Sequence, residues 1–359
     1  MLYNHLQVHF LNVDHGDCTI IRHPGDQHRD EGRISVIDIN DWPEQKAHVE
    51  EDDISSLEYY LQFPVKDDQQ SRLSGIRQKS QISPEEYAQE YLNDPIEYYS
   101  ENFDEVTHKI WRFIATHPDM DHLSGLKRLD EEIGFNVFWD TNHNRERDED
   151  SWYEVYEWGD WELYDDIREG NTGHDNIQPT RGQQKKFWEH DSIEILHPSP
   201  EFVQELNEQN AELENPEYND YSYVLKIQHG TRSILLPGDA ETEVWDDILE
   251  EWGPEVLEDV HVLKAAHHGR KDGFHREAVE AMDPAYVIVS VGKKDNQDAY
   301  DNYRSACSDE TEILSTRQYG RIKASCTHPS SILVDKAEPD GMALVNRHTA
   351  VDLAMLRHA

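Results

Sequence analysis

The chain has 359 residues, of which 36% are hydrophobic and 10% aromatic, enough to bury a large core and too much for a disordered chain. Lys and Arg number 33 against 75 Asp and Glu, a formal net charge of -42. Such a field disfavours long polyanions at low salt, because basic side chains supply most non-specific nucleic-acid affinity. The same charge fits adaptation to high internal salt, where screening shortens the repulsion to a few Å. No run approaches the roughly 20 apolar residues that span a bilayer, and Met1 to Leu6 carries neither a basic nor an apolar leader region. Cys18, Cys307 and Cys326 are odd in number and widely spaced, which argues against a disulfide framework. A cytoplasmic location without membrane attachment is expected.

Leu6, Val8 and Phe10 alternate as a strand, the turn Asp14-His15-Gly16-Asp17 follows, and Cys18 to Ile21 and Ile34 to Ile39 read as two more strands. Residues 41–105 are acidic and broken by Pro43, Pro64, Pro84 and Pro95, with Ser83-Pro84-Glu85-Glu86 opening a helix through Tyr87 to Leu92. Residues 140–190 are similarly acidic, and Trp152, Trp158 and Trp161 there are expected to pack the segment onto the body. Both segments read as insertions on a single domain covering residues 1–359. Strands return at 192–196, 221–227 and 233–236, a helix at 241–251, a strand at 260–266, a helix at 277–282 and a strand at 285–291. The order predicts an α/β fold with functional groups where strands end.

The densest chemistry is His117-Pro118-Asp119-Met120-Asp121-His122 at the end of an apolar strand. Imidazole nitrogens and carboxylate oxygens are donors that zinc, manganese and iron accept. Asp239 follows another apolar strand and a Pro-Gly turn, and His267-His268 follows a third, before Gly269.

His117 to His122 resembles the HxHxDH signature of metallo-β-lactamase-fold hydrolases, in an HxDxDH version. The resemblance narrows to the branch of the C-terminal domain of the competence protein ComEC and the phosphorylcholine esterases. Phe10 to Cys18 looks like its FLDVGQGD opening, Val36-Ile37-Asp38 its LIDGG strand end, and Asn219 to Ser222 its NxxS element. Leu235 to Glu241 resembles LLTGDxE, Val262 to Gly269 VLKVPHHG, and Ile288 to Lys293 ISVGK. The resemblance implies an αββα sandwich, here with two acidic insertions, and two divalent ions, Zn or Mn. It implies that His117, Asp119 and His267 hold one ion, that Asp121, His122 and His268 hold the other, and that Asp239 bridges them. Asp38, Asn219 and Ser222 would orient ligands without touching metal. Asp121 and Asp239 would carry catalysis around a metal-bound hydroxide. His197 and Lys293 are candidates for contacting substrate.

Asp119 replaces a histidine and makes its position richer in oxygen, which favours manganese alongside zinc. The family's HP element after ISVGK is missing, and Asp298-Ala299-Tyr300 stands near its place. The expected activity is a phosphodiesterase or nuclease. The alternatives are a hydrolase of a small-molecule ester, lactone or cyclic nucleotide, and a defence or signalling component that binds a protein partner.

Overall fold

The computed structural model describes residues 5–25, 32–41, 84–103, 110–152, 155–183, 185–291 and 297–337. Six strands of the first half are β1 (Leu6–Phe10), β2 (Thr19–Arg22), β3 (Ile34–Ile37), β4 (Ile110–Ile114), β5 (Phe135–Trp139) and β6 (Asp175–Ile177). The second half supplies β7 (Ile193–His197), β8 (Val224–His229), β9 (Arg232–Leu236), β10 (Val260–Lys264), β11 (Tyr286–Val289) and β12 (Glu312–Ser315), and then β13 (Ile322–His328) and β14 (Ser331–Lys336). One sheet runs β14-β13-β1-β2-β3-β4-β5-β6 and the other β12-β11-β10-β9-β8-β7. Each half opens with antiparallel pairs and continues with parallel ones, β3 to β6 in the first sheet and β9 to β12 in the second. The parallel strands set their carboxyl ends side by side, where ligands gather in open α/β sheets.

Successive side chains leave a strand on opposite faces, and the core divides accordingly. Ile37, Ile114, Trp139, Ile234, Leu236 and Val262 fill the space between the sheets. Val36, Phe113 and Phe138 face outward, onto helices Pro95–Asn102, Leu126–Glu132 and Trp158–Glu169. Leu235 and Leu263 face helices Thr242–Trp252 and Arg276–Met282. Val260 and Val262, two residues apart, nonetheless enter different layers, because the β9–β10 register shifts between them. Helix, sheet, sheet and helix layers make the αββα sandwich that the resemblance implied.

The helix expected from Pro84 is present as Pro84–Tyr91, and it buries Tyr87, Ala88 and Tyr91. Within the acidic segment 41–105, residues 42–83 and 104–105 lie outside the described residues. Trp161 is buried among the first helix layer, with Trp152 and Trp158 packed against it. The β13–β14 hairpin, absent from the sequence reading, returns to pair with β1. Its His328 is exposed beside the β8–β9 turn, where Pro329 O accepts Thr231 N–H at 2.8 Å. That turn is at the opposite end of β9 from Asp239. No helix among the described residues is long and apolar enough to cross a membrane.

Candidate metal centre

Four strand ends build the site. After β3, Asp38 adopts a left-handed conformation, φ 56°. Its carboxylate accepts Thr116 N–H and Thr116 Oγ–H, each at 2.8 Å, and His122 Nδ1–H at 2.9 Å. After β4 come His117 to His122. After β9, Gly238 turns the chain at φ +56°, and a Cβ there would lie 2.9 Å from Thr116 Cβ, so glycine is required twice over. Its carbonyl accepts His267 N–H at 3.1 Å, which ties the β10 end to the β9 end. After β10, His267 and His268 are both left-handed, at φ 46° and 53°. Left-handed non-glycine residues store strain and gather at functional sites.

Three of the four imidazoles share one arrangement, a hydrogen-bonded Nδ1. His122 is tethered through Nδ1 to Asp38, and His268 through Nδ1 to Ser290 O at 3.1 Å. His267 Nδ1 lies 2.9 Å from Asp272 Oδ1 and 3.4 Å from Glu241 Oε1. His117 Nδ1 meets Thr116 Oγ1 at 3.1 Å and Ser222 Oγ at 3.3 Å. Thr116 gives its own proton to Asp38, so it accepts from His117. His117, His122 and His268 are therefore held through Nδ1, which leaves Nε2 for a ligand. Asp239 Oδ2 lies 3.2 Å from His268 Nε2, 3.3 Å from His122 Nε2 and 3.8 Å from His267 Nε2. Asp121 Oδ2 is 3.5 Å from His268 Nε2 and 3.8 Å from His122 Nε2. His117 Nε2 faces Asp119 Oδ2 at 3.6 Å.

Asp121, His122, Asp239 and His268 thus converge, with His117 and Asp119 at the flank. His267 joins them through Asp239. Asn219 stands one step away, donating to Glu241 Oε1 at 2.8 Å. Ser222 Oγ accepts Asp239 N–H at 3.0 Å, and so links Asp239 to His117. Ser222 is fully buried.

Buried polar atoms are normally paired, yet the Nε2 atoms of His117, His122 and His268 and Oδ1 of Asp239 are buried without a hydrogen-bond partner. Burial opposes charge on Asp239, but His268 and His122 hold its carboxyl well below the usual range. Burial likewise opposes charge on His268, and Asp239 and Asp17 carry it up to about 10. A cluster of this composition attracts cations, and its imidazole and carboxylate donors fit divalent ions. The ligand atoms of Asp17, His122, Asp239 and His268 all lie within 4.8 Å of one another.

Several contributors escaped the sequence reading. Lys264 lies in an apolar strand, where a cation is unusual. It is 3% exposed and ion-paired with Asp17, itself 2% exposed. A lysine inside the apolar run Val260 to Ala266 was the available signal, since a buried ammonium requires a partner. Glu241 and Asp272 at His267, and Arg145 at Asp119, carried no such signal. The segment standing where the HP element was expected serves as a backbone brace. Lys271 N–H donates to Gln297 O at 2.7 Å and Ala299 N–H to Gly269 O at 2.8 Å, next to the histidine pair.

His197, a candidate for contacting substrate, lies inside the protein. Its ring is fully buried, lies 3.0 Å through Nδ1 from Ser222 O, and packs edge-on against Phe202. Burial lowers its pKa to about 3. Lys293 lies outside the described residues.

No family model matches the chain. A segment of 75 residues is 35% identical to ComE operon protein 3 of Bacillus subtilis (strain 168), covering 21% of this chain and 9% of that protein. The match therefore spans a small fraction of that relative's length. Among solved structures the chain is similar to Igni18, a metallo hydrolase from the hyperthermophilic archaeon Ignicoccus hospitalis KIN4/I, at 11% identity and TM-score 0.40, over 92% of this chain and 100% of that one. It is also similar to CmlA, a diiron β-hydroxylase from Streptomyces venezuelae, at 13% identity and TM-score 0.41, over 90% of this chain and 54% of that one.

Proposed function

We propose that the chain is a binuclear metal-dependent hydrolase whose substrates are small or short phosphodiesters. One observation carries the reading: three imidazoles tethered through Nδ1, those of His117, His122 and His268, present Nε2 to the Asp239, Asp121 and Asp119 carboxylates, with His267 Nε2 3.8 Å from Asp239. Preorganised donors of this kind are what metal sites on rigid strand ends require.

His117 and Asp119 would hold one zinc or manganese ion and Asp121, His122 and His268 the other, with Asp239 between them and His267 at its side. When bound, the pair supplies Lewis acidity and a water nucleophile that ionises near neutral pH, a combination suited to in-line phosphodiester displacement. The chain's own residues fix the geometry. Asp38 and Ser290 O hold the tautomers of His122 and His268, and Ser222 holds Asp239 against His117. Lys264 offsets the charge of Asp17 beside His268. The charge of -42 favours a small or short substrate over a long polyanion. A cytoplasmic location belongs to the same proposal.

The test compares bis-p-nitrophenyl phosphate, single-stranded DNA and a carboxylic ester, each with manganese and with zinc. The expected result is phosphodiester hydrolysis lost on chelation and restored by metal, with single-stranded DNA cleaved slowly at low salt. Hydrolysis of the carboxylic ester alone would transfer the same site to the ester or lactone alternative. Undiminished hydrolysis after complete chelation would overturn the metal reading.

A further inference from the structure

Asp119 stands where the more common signature has a histidine, and a carboxylate has no second ring nitrogen by which to be tethered. The structure supplies a substitute. Arg145 Nη1 contacts Asp119 Oδ1 and donates to Pro118 O at 3.0 Å. Asp119 Oδ2 is left facing His117 Nε2 at 3.6 Å. The two carboxylate oxygens are thus divided, one toward arginine and one toward the metal-binding space.

Arg145 is itself held from two sides. Its guanidinium carbon lies 4.5 Å from the centroid of the Tyr218 ring, a stacking contact that suits arginine better than lysine. Its backbone N–H donates to His143 Nδ1 at 3.0 Å. His143 is buried, with Nε2 2.6 Å from Tyr164 Oη, and Tyr164 in turn donates to Asp140. Arg168 completes the network, donating to Asp140 Oδ2 and to His143 O, each at 2.7 Å. Asp140 directly follows β5, so this chain of buried bonds fastens Arg145 to the sheet that carries His117.

We infer that Arg145 is a positioning residue for metal binding: it fixes Asp119 so that one oxygen serves the ion held with His117. The inference rests on the metal reading above. It assigns part of segment 140–190 a role in completing the site, through a residue that no ligand motif contains. Partners outside the ligand shell typically contribute about 10–100-fold to metal affinity.

The experiment is zinc titration of the full chain against a competing chelator, with the cobalt absorption spectrum as a second readout. In Arg145→Ala, the weaker of the two binding steps loses about 10-fold or more in affinity, the tighter step changes less than about twofold, and the cobalt bands of the weaker position shift. In an Asp119→His background, where the ring has its own Nδ1 tether, removing Arg145 changes the weaker step less than about twofold, as expected of residues coupled through a single contact. Arg145→Lys keeps the charge without the fork, and shows the same direction of loss should the alanine variant fail to fold by circular dichroism.

Unchanged or tighter zinc binding in Arg145→Ala overturns the inference, as does an equal loss in the Asp119→His background. A raised KM for bis-p-nitrophenyl phosphate with unchanged zinc affinity also overturns it, by making Arg145 a substrate contact. Wild-type protein that binds fewer than two ions overturns the binuclear reading, and this inference with it. Two ions in the wild type with an unaffected variant overturn the inference alone.

Discussion

The pole of the site formed by His122, Asp239 and His268 and the pole formed by His117 and Asp119 are built differently. At the first, Asp239 and His268 follow strand ends and His122 lies in the turn after β4; His122 and Asp239 are buried, Asp121 is 30% exposed, and the tethers of His122 and His268, Asp38 and Ser290 O, belong to neighbouring strand ends. At the second, His117 is buried but Asp119 is 31% exposed, and its tether comes from Arg145 beyond β5. The tethers of the inner pole come from strand ends, whereas that of the outer pole comes from the segment after β5. Two ions bound at such poles should differ in affinity, with the outer ion the weaker, because preorganisation at the inner pole is secured by buried bonds.

The largest effect expected is at the floor of the inner pole. Lys264→Met leaves Asp17 charged and unpaired beside His268, and removing one partner of a buried pair costs about 3–5 kcal/mol. Pairing it with Asp17→Asn should recover most of that loss in urea denaturation. A single variant as stable as wild type would show that the pair does not hold the floor. Next, Asp38→Ala removes the tether of His122 together with two bonds to Thr116. The inner zinc should weaken by about 10–100-fold, and the outer one less. Equal weakening of both would erase the distinction between the poles. The Arg145 variants probe the reverse case, with an effect near the lower end of that range.

The smallest effect is at the closed end of the sandwich, far from either pole. His23 is buried between Ser35 Oγ at 2.8 Å and Asp191 O at 3.1 Å. Burial, only partly offset by Asp191, lowers its pKa to about 4. The unfolded chain takes up that proton near the ordinary pKa of about 6.5, so the folded state binds fewer protons between these values. Stability is therefore full above about pH 6.5 and falls as pH drops toward 4, with a slope of at most about 1.4 kcal/mol per pH unit from this group. His23→Gln should flatten the slope of the urea midpoint against pH while leaving zinc affinity unchanged. An unaltered slope would assign the acid sensitivity to other groups.

The candidate ligands were legible in the sequence because they fall in three short groups, His117 to His122, Asp239 and His267-His268, each after an apolar run. Strand periodicity likewise announced most of the sandwich. What stayed hidden depends on partners distant in the chain. Alternation describes the β13–β14 hairpin locally but does not say that it pairs with β1. Lys264 reads as a surface cation until Asp17, from the opening turn, is brought beside it. His197 was a candidate for contacting substrate, but at the end of β7 its ring is buried against Ser222 O and Phe202. Arg145 lies in an acidic stretch whose composition signals only a solvated segment, and the network from Asp140 through Tyr164 and His143 that positions it exists only in three dimensions.

The central claim, a binuclear site organised on Asp239, is tested most directly by counting bound ions. Metal-free protein is titrated with zinc, and the bound metal measured by mass spectrometry after desalting, for wild type and Asp239→Asn. The account predicts two equivalents per chain in the wild type, bound in two steps with the outer one weaker, and at most one in a folded Asp239→Asn variant. Two equivalents retained in that variant, or none in the wild type, would contradict it.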